Sequence, residues 1–541
     1  MPERVTMAYT IGIDFGTESA RAVLMDTESG EQVTTAVSRY RHGVLEGSLP
    51  DGTSLPQDWA LQHPQDWVDS LEELLQQMTR AAQPDRILGI GIDFTSCTLL
   101  PTTSEGRPLC LLEEFHARPH AWPMLWKHHA AQKYADRINA SGWDLLAYYG
   151  GKTSSEWLWA KAWQILEEAP DIFHAADRLI EGGDWIVWQL TGQEVRSICQ
   201  AGYKAHWQKG RGYPEAAFLA QLHPNLPQVL AKLSLPHPLG SRAGGLVSAW
   251  ANRTGLLEGT TVATAVIDAH ASVPAVGVTE PGVLVAILGT SACHLLLSEK
   301  YLAIPGISGV VEDGILPGFY GYEAGQVSFG DIFEWYVRTH AASMYGGEEA
   351  AFQKLTREAA RLKPGESGLL ALDWWNGCRT PYVDASLSGM IIGLTLTTEP
   401  PHIYRALLEA AAFGTRRVIE TFEAGGLSVE EIRVCGGVAE RNKLLLQIMA
   451  DVTGRDVVDA NVLHASATGA AIYAAAAAEI YGSVHEAAKR MGSRKETVYR
   501  PIQEHVSVYD ALYAEYRRLA EYFGGGTSDV MRKLRQLRVL S

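Results

Sequence analysis

Asp14-Phe15-Gly16-Thr17-Glu18-Ser19-Ala20-Arg21 sets a carboxylate and a Gly-Thr turn between two β-type runs, Tyr9 to Asp14 and Ala20 to Met25. Glycine lets the backbone reverse there, so the segment predicts a tight antiparallel hairpin. Far downstream, Leu288-Gly289-Thr290-Ser291-Ala292-Cys293 repeats the plan, with a strand from Gly282 to Leu288, the turn Gly289-Thr290-Ser291 and a strand from Ala292 to Leu297. A single turn of this kind is a weak signal. The same turn once in each half predicts two domains of similar fold, facing each other across a shared cleft.

Outward from the first hairpin, a turn over Asp26 to Gly30 and a run from Gln32 to Tyr40 extend it into an antiparallel meander. A helical stretch (Pro64 to Ala82), an apolar strand (Ile87 to Phe94) and amphipathic helices over Trp122 to Asn139 and Glu156 to Glu168 complete a mixed α/β domain. The polar, glycine-containing stretch Ser248 to Gly255, within Leu246 to Thr260, reads as the junction. The expected division is residues 1–253 and 254–541. A chain of 541 residues exceeds one compact core, which agrees with two large domains.

With 46% hydrophobic and 20% charged residues, the composition is that of a globular protein. The formal charge of −16 argues against nucleic acid or an anionic membrane as a partner and leaves room for a small anionic ligand in a local pocket. Six cysteines are scattered without a C-x-x-C pair and read as reduced thiols. The N-terminus shows no apolar leader, and the most apolar stretches, Val283 to Leu297 and Ala465 to Ala478, are too interrupted to span a membrane. The expected setting is the cytoplasm, with a homodimer as the default assembly for such an enzyme.

The two turns carry chemistry suited to phosphate. Gly16 and Gly289 admit close backbone approach, and the neighbouring N–H groups with the hydroxyls of Thr17 and Thr290 supply donors. Asp14 adds the hard oxygen that Mg2+ prefers. Arg21 reads either as a further positive charge or as a solvated strand residue. Other phosphate devices fail: Gly150-Gly151-Lys152-Thr153 lacks the first glycine of a P-loop, since Leu146 stands there, and Gly89-x-Gly91 lacks the third glycine of a dinucleotide fingerprint. Asp268 follows the apolar run Val262 to Ile267 and precedes a helix, which suits a helix N-cap or a proton acceptor at the base of the cleft. His116, His120, His128 and His129 lack an acidic partner at metal-ligand spacing and read as a histidine-rich amphipathic helix beside the segment Trp122 to His129.

The two hairpins, Ile267-Asp268-Ala269-His270-Ala271, Asp373-Trp374-x-x-Gly377-x-Arg379, Cys435-Gly436-Gly437-Val438-Ala439, Gln447-x-x-Ala450-Asp451 and Ala465-x-x-x-Gly469-Ala470-Ala471 resemble, over nearly the whole chain, the FGGY family of carbohydrate kinases. That resemblance implies an α/β fold of two actin-like, ribonuclease-H-like domains with a deep interdomain cleft. It implies ATP as phosphoryl donor with Mg2+, Gly436 and Gly437 against the adenosine with the small-residue helix Ala467 to Ala478 behind them, and Asp268 as general base. Segments Trp122 to His129, Ser197 to Lys204 and Gly318 to Gly330 are similar to the sugar-pocket segments of the members that act on L-ribulose. They imply a sugar held by Trp126, Lys204, Asp268 and Glu323, with Thr95 and Ser96 lining the same pocket.

Two positions depart from the wider family: Val-Ile precedes Asp268 where a glycine is common, and Cys435 stands where a third glycine is frequent. D-ribulose, xylulose or another polyol remains an alternative acceptor, and a non-catalytic nucleotide-dependent sugar sensor is the alternative of a different class.

Overall fold

Two twisted sheets form the spine of the protein, and the computed structural model describes residues 8–540. Residues 1–7, where the sequence reads as lacking an apolar leader, lie outside the described residues.

The first sheet comprises β1 (Tyr9–Phe15), β2 (Ser19–Asp26), β3 (Gln32–Arg39), β4 (Ile87–Phe94), β5 (Arg242–Gly245), β6 (Thr261–Ala263) and β7 (Val266–Ile267). Its order is β5-β6-β4-β1-β2-β3, with β7 also paired to β4. The meander is antiparallel and β1 pairs β4 in parallel. Strand β1 is buried at every position because both faces of the sheet are covered, whereas β3, at the edge, alternates inward and outward.

The second sheet comprises β8 (Val283–Leu288), β9 (Ala292–Ser298), β10 (Gly309–Glu312), β11 (Tyr320–Gln326), β12 (Glu431–Cys435), β13 (Val457–Asp459) and β14 (Thr497–Tyr499), in the order β10-β11-β9-β8-β12-β13-β14. It repeats the pattern of the first. In each sheet a hairpin and its antiparallel partner lie on one side of the leading strand, and parallel strands lie on the other. The expected pair of actin-like, ribonuclease-H-like lobes is present.

The helices that position the site are α1 (Pro64–Ala81), α2 (Leu158–Glu168), α3 (Ile198–Lys204), α4 (Ser248–Thr254), α5 (Asp268–Ala275), α6 (Gly330–Tyr336), α7 (Pro400–Ala424), α8 (Gly437–Arg441), α9 (Lys443–Thr453) and α10 (Ala465–Ala477). Helix α1 starts where expected. His63 caps it by accepting from the Gln65 N–H, Pro64 occupies the first turn, and Trp67, Leu71, Leu74, Leu75 and Met78 face the core.

Three expectations are corrected. The helix expected over Trp122 to Asn139 exists only from Gln132. Ahead of it, Pro123 has no N–H to give, and Met124 exchanges backbone hydrogen bonds of 2.8 and 3.1 Å with Leu99, which pins the segment as an extended arm. The polar stretch Ser248 to Gly255 folds as α4 with Gly255 at φ +78°, and the chain then adds β6 and β7 to the first sheet before the second begins.

The small-residue helix α10 lies between the first sheet and α5 rather than behind Gly436-Gly437. A Cβ on Gly12 would lie 1.8 Å from the Ala467 carbonyl oxygen, one on Gly91 1.9 Å from that of Ala470, and one on Gly469 1.7 Å from that of Ala271. Helix and strands approach backbone to backbone, which only glycine permits. Gly91, in the pair that failed as a dinucleotide fingerprint, serves this contact.

Candidate active site

Both Gly-Thr turns form the hairpins expected. In the first, Gly16 N–H donates to the Ser19 carbonyl at 3.0 Å, and Asp14 stands opposite Arg21, whose Nη1 donates to Asp14 Oδ2 at 3.0 Å. Arg21 is therefore the partner of the buried carboxylate, not a free surface charge. The Thr17 hydroxyl accepts from Trp126 Nε1 at 3.1 Å, and the Thr17 carbonyl accepts from Gln62 Nε2 at 2.8 Å.

In the second hairpin, Gly289 N–H donates to the Ser291 carbonyl at 2.9 Å. The Thr290 and Gly289 carbonyls accept from the N–H groups of Phe329 (2.9 Å) and Gly330 (3.0 Å), so the start of α6 docks on the turn. Gly436, at φ +97°, sits where a Cβ would come 2.7 Å from the Leu288 carbonyl oxygen, and a Cβ on Gly330 would lie 2.8 Å from Val438 Cγ2. The second hairpin, the start of α6 and the Gly436-Gly437 turn thus form one surface, with backbone close enough to receive a flat base and its phosphates.

Asp268 is the first residue of α5, following Ile267 at the N-cap position, and its Oδ1 accepts from the Ala269 N–H at 2.8 Å. Asp268 thus stands one residue inside the N-cap position, with its carboxylate direction fixed by a first-turn N–H. Burial and the nearby Asp14 charge push the Asp268 carboxyl up to about 7, against the lowering effect of the Ala269 N–H and Lys204.

On the other flank, Lys204 Nζ at the end of α3 reaches Glu323 of β11 at 3.1 and 3.3 Å, with both side chains buried. Glu323 also meets His270 Nε2 at 3.1 Å, and His270 Nδ1 lies 3.1 Å from Cys199 Sγ. Burial opposes the Glu323 charge, yet Lys204 and His270 hold its carboxyl well below the usual range. Burial likewise opposes the Lys204 charge, and Glu323 keeps that ammonium above its ordinary value. Thr95 and Ser96 follow β4, and the Thr95 N–H donates to the Phe15 carbonyl at 3.0 Å, which sets this turn beside the first hairpin. Trp126, partly exposed, bridges the two groups through Thr17.

Other candidates fall away. His120 and His128 both edge onto Trp59 and bond Glu168 and Gln164, while His116 bonds the Glu113 carbonyl, so this cluster shares no common point. The loop Gly150 to Thr153 ties to Gly306 and, through Lys152 Nζ, to the Val383 carbonyl, which makes it a structural tie.

Asp93 is the residue that sequence reasoning missed. The pentapeptide Ile11-Gly12-Ile13-Asp14-Phe15 recurs as Ile90-Gly91-Ile92-Asp93-Phe94, and β1 and β4 align the copies residue for residue, with Phe15 and Phe94 stacked at 5.3 Å. That repeat was the available signal. Asp93 is fully buried, neither carboxyl oxygen finds a hydrogen-bond donor among the described residues, and burial and the adjacent Asp14 push its carboxyl well above the ordinary range. An orphaned carboxyl beside Asp14 offers hard oxygens only, a donor set that fits Mg2+ and not a thiolate- or imidazole-seeking metal.

Residues 9–274 match the family described as "FGGY family of carbohydrate kinases, N-terminal domain", and residues 284–478 match the C-terminal domain of the same family. The chain is 49% identical to a ribulokinase of Halalkalibacterium halodurans, covering 99% of this chain and 98% of that protein. It is 47% identical to a ribulokinase of Mycolicibacterium smegmatis, covering 98% and 96%. Among solved structures, a xylulose kinase from Rhodospirillum rubrum superposes with a TM-score of 0.77 at 23% identity, covering 95% of this chain and 98% of that one.

Proposed function

The chain belongs to the FGGY family of carbohydrate kinases, and from that premise we propose that it transfers the γ-phosphoryl group of ATP to the terminal hydroxyl of L-ribulose, giving L-ribulose 5-phosphate. The observation that carries this reading is the position of Asp268, whose carboxyl feels both Asp14 of the first phosphate hairpin and the Lys204–Glu323 pair of the sugar side. A base so placed stands where the reacting hydroxyl of a sugar meets a polyphosphate. The ribulokinase relatives, matched over nearly their full lengths, support a ribulose as acceptor.

Phosphoryl transfer asks the protein for positioning, charge neutralisation and a proton acceptor. Lys204 donates to sugar oxygens, Glu323 accepts from sugar hydroxyls, the Trp126 ring offers an apolar face, and Thr95 with Ser96 lines the same pocket. Asp268 takes the proton of the terminal hydroxyl as its oxygen bonds to phosphorus and the bond to ADP breaks. A carboxyl near 7 is matched to that task at neutral pH. The turns at Gly16-Thr17 and Gly289-Thr290 hold the phosphates, and Gly436-Gly437 receives the adenosine. Asp14, with Asp93 beside it, would hold Mg2+, which when bound neutralises the phosphate charge that repels the nucleophile.

A coupled assay of ADP release across L-ribulose, D-ribulose, xylulose, ribitol and glycerol tests the assignment. The highest kcat/KM is expected on L-ribulose; a higher value on xylulose or glycerol displaces it, and no sugar-dependent ADP release points to a nucleotide-dependent sensor.

A further inference from the structure

The segment Asp373 to Arg379 has no part in the mechanism above. Its opening residues are structural: buried Asp373 accepts from the Tyr516 hydroxyl at 2.7 Å and Gln326 Nε2 at 2.8 Å, and Gly377, at φ +89°, sits where a Cβ would be 2.6 Å from Ala385 Cα. The loop is fastened to β11 by two 3.3 Å bonds, from the Thr380 N–H to the Gly325 carbonyl and from the Gly325 N–H to Thr380 Oγ1. Arg379 then lies along the face of β11 that carries Glu323. Gly325 is two residues from Glu323 and so on the same face, and a Cβ placed on it would be 3.5 Å from Arg379 Cδ and Nη1.

The guanidinium makes no hydrogen bond shorter than 3.5 Å among the described residues. Its ion-pair partner is Glu156, just ahead of α2 on the first lobe, at 3.8 Å, and the two side chains are 32% and 15% exposed. Glu156 precedes Trp157, whose ring lies 5.6 Å from Lys204 Nζ. Arg379, Glu156, Lys204 and Glu323 thus bring charges of alternating sign from both lobes to the sugar side of the cleft. Arg379 therefore borders the Lys204–Glu323 flank of the acceptor pocket, across from Glu156 and Trp157. A five-donor fork held there with a single loose ion pair and no hydrogen bond within 3.5 Å among the described residues has unused binding capacity.

We propose that Arg379 determines acceptor specificity by donating to the C2 carbonyl oxygen of an open-chain ketose, while Glu156 accepts from a neighbouring hydroxyl. A carbonyl presents two in-plane lone pairs to the planar guanidinium; the C2 hydroxyl of the matching pentitol offers a tetrahedral oxygen and brings a proton that Arg379 cannot accept. The inference rests on the acceptor being a ketose, as proposed above.

The test compares the unaltered chain with Arg379→Gln, Arg379→Lys and Glu156→Gln on L-ribulose and on the corresponding pentitol, used as substrate or as competitive inhibitor. In Arg379→Gln the ketose KM is expected to rise roughly 10- to 100-fold, with the pentitol constant changing less than about 3-fold and the KM for ATP unchanged. Arg379→Lys, which keeps the charge and loses the fork, is expected to recover only part of the ketose preference. Titration calorimetry with sugar alone reads the same loss without turnover and separates binding from misfolding. Equal losses on ketose and pentitol, or an unchanged ketose KM, overturn the proposal. If the unaltered chain phosphorylates no ketose, the functional reading falls and takes this inference with it.

Discussion

At the residue scale, the properties that suit Asp268 to catalysis also cost the fold. Its carboxyl stands at about 7 in the folded chain against an ordinary 3.8, so the folded state prefers the neutral acid. The stability linked to this group is therefore fully present below about pH 4 and is lost as pH rises to 7, where the buried site takes on charge. Asp268→Asn removes that cost. The variant should lose activity by at least about a thousandfold and, measured at pH 8, unfold about 1–2 °C above the parent, with no gain at pH 4. Near-parental turnover would refute the base assignment. In the parent, kcat/KM for the sugar at saturating ATP and magnesium should fall tenfold per pH unit below neutrality, a limb that a profile from pH 5 to 8 resolves.

Trp126 carries a second prediction at this scale. Its indole N–H occupies the Thr17 oxygen as an acceptor and leaves the hydroxyl proton of Thr17 to donate elsewhere. In Trp126→Phe, which keeps a flat face and loses the N–H, the KM for ATP should rise about fivefold, and by more than the sugar KM does. A change confined to the sugar would show that the bond does not orient Thr17.

At the element scale, the decisive contact is α10 against β1, β4 and α5, where glycines bring carbonyl oxygens to within 1.7 to 1.9 Å of an imagined Cβ. No rotamer change relieves a clash with backbone, so Gly91→Ala must part the helix from the sheet. The expected loss is at least about 3 kcal/mol, seen as a lower midpoint in urea or as failure to accumulate folded protein. Gly142→Ala serves as the control: that glycine has open space around it but a positive φ, and its replacement should cost only about 1 kcal/mol.

At the scale of the whole molecule, the groups proposed to hold sugar and nucleotide come from two lobes joined by α10 and by the pairs Lys204–Glu323 and Arg379–Glu156. Catalysis then calls for the cleft to shut on both ligands and exclude water. Solution scattering should show a smaller radius of gyration with L-ribulose plus a non-hydrolysable ATP analogue than with either alone. An unchanged radius would argue for a rigid, preformed site.

Much of this protein could be read along the chain. Both Gly-Thr hairpins, the strand Ile87 to Phe94, helix α1 and the carboxylates Asp14 and Asp268 announce themselves locally, because turn chemistry and apolar patterning act over a few residues. Tertiary structure decided the rest. The arm at Pro123 and Met124 is extended because it pairs with Leu99, α10 lies on the first sheet because glycines far apart in sequence vacate the same space, and Asp93 stands beside Asp14 because β1 and β4 pair in parallel. Each depends on which distant residues meet, and that is a property of packing rather than of local sequence.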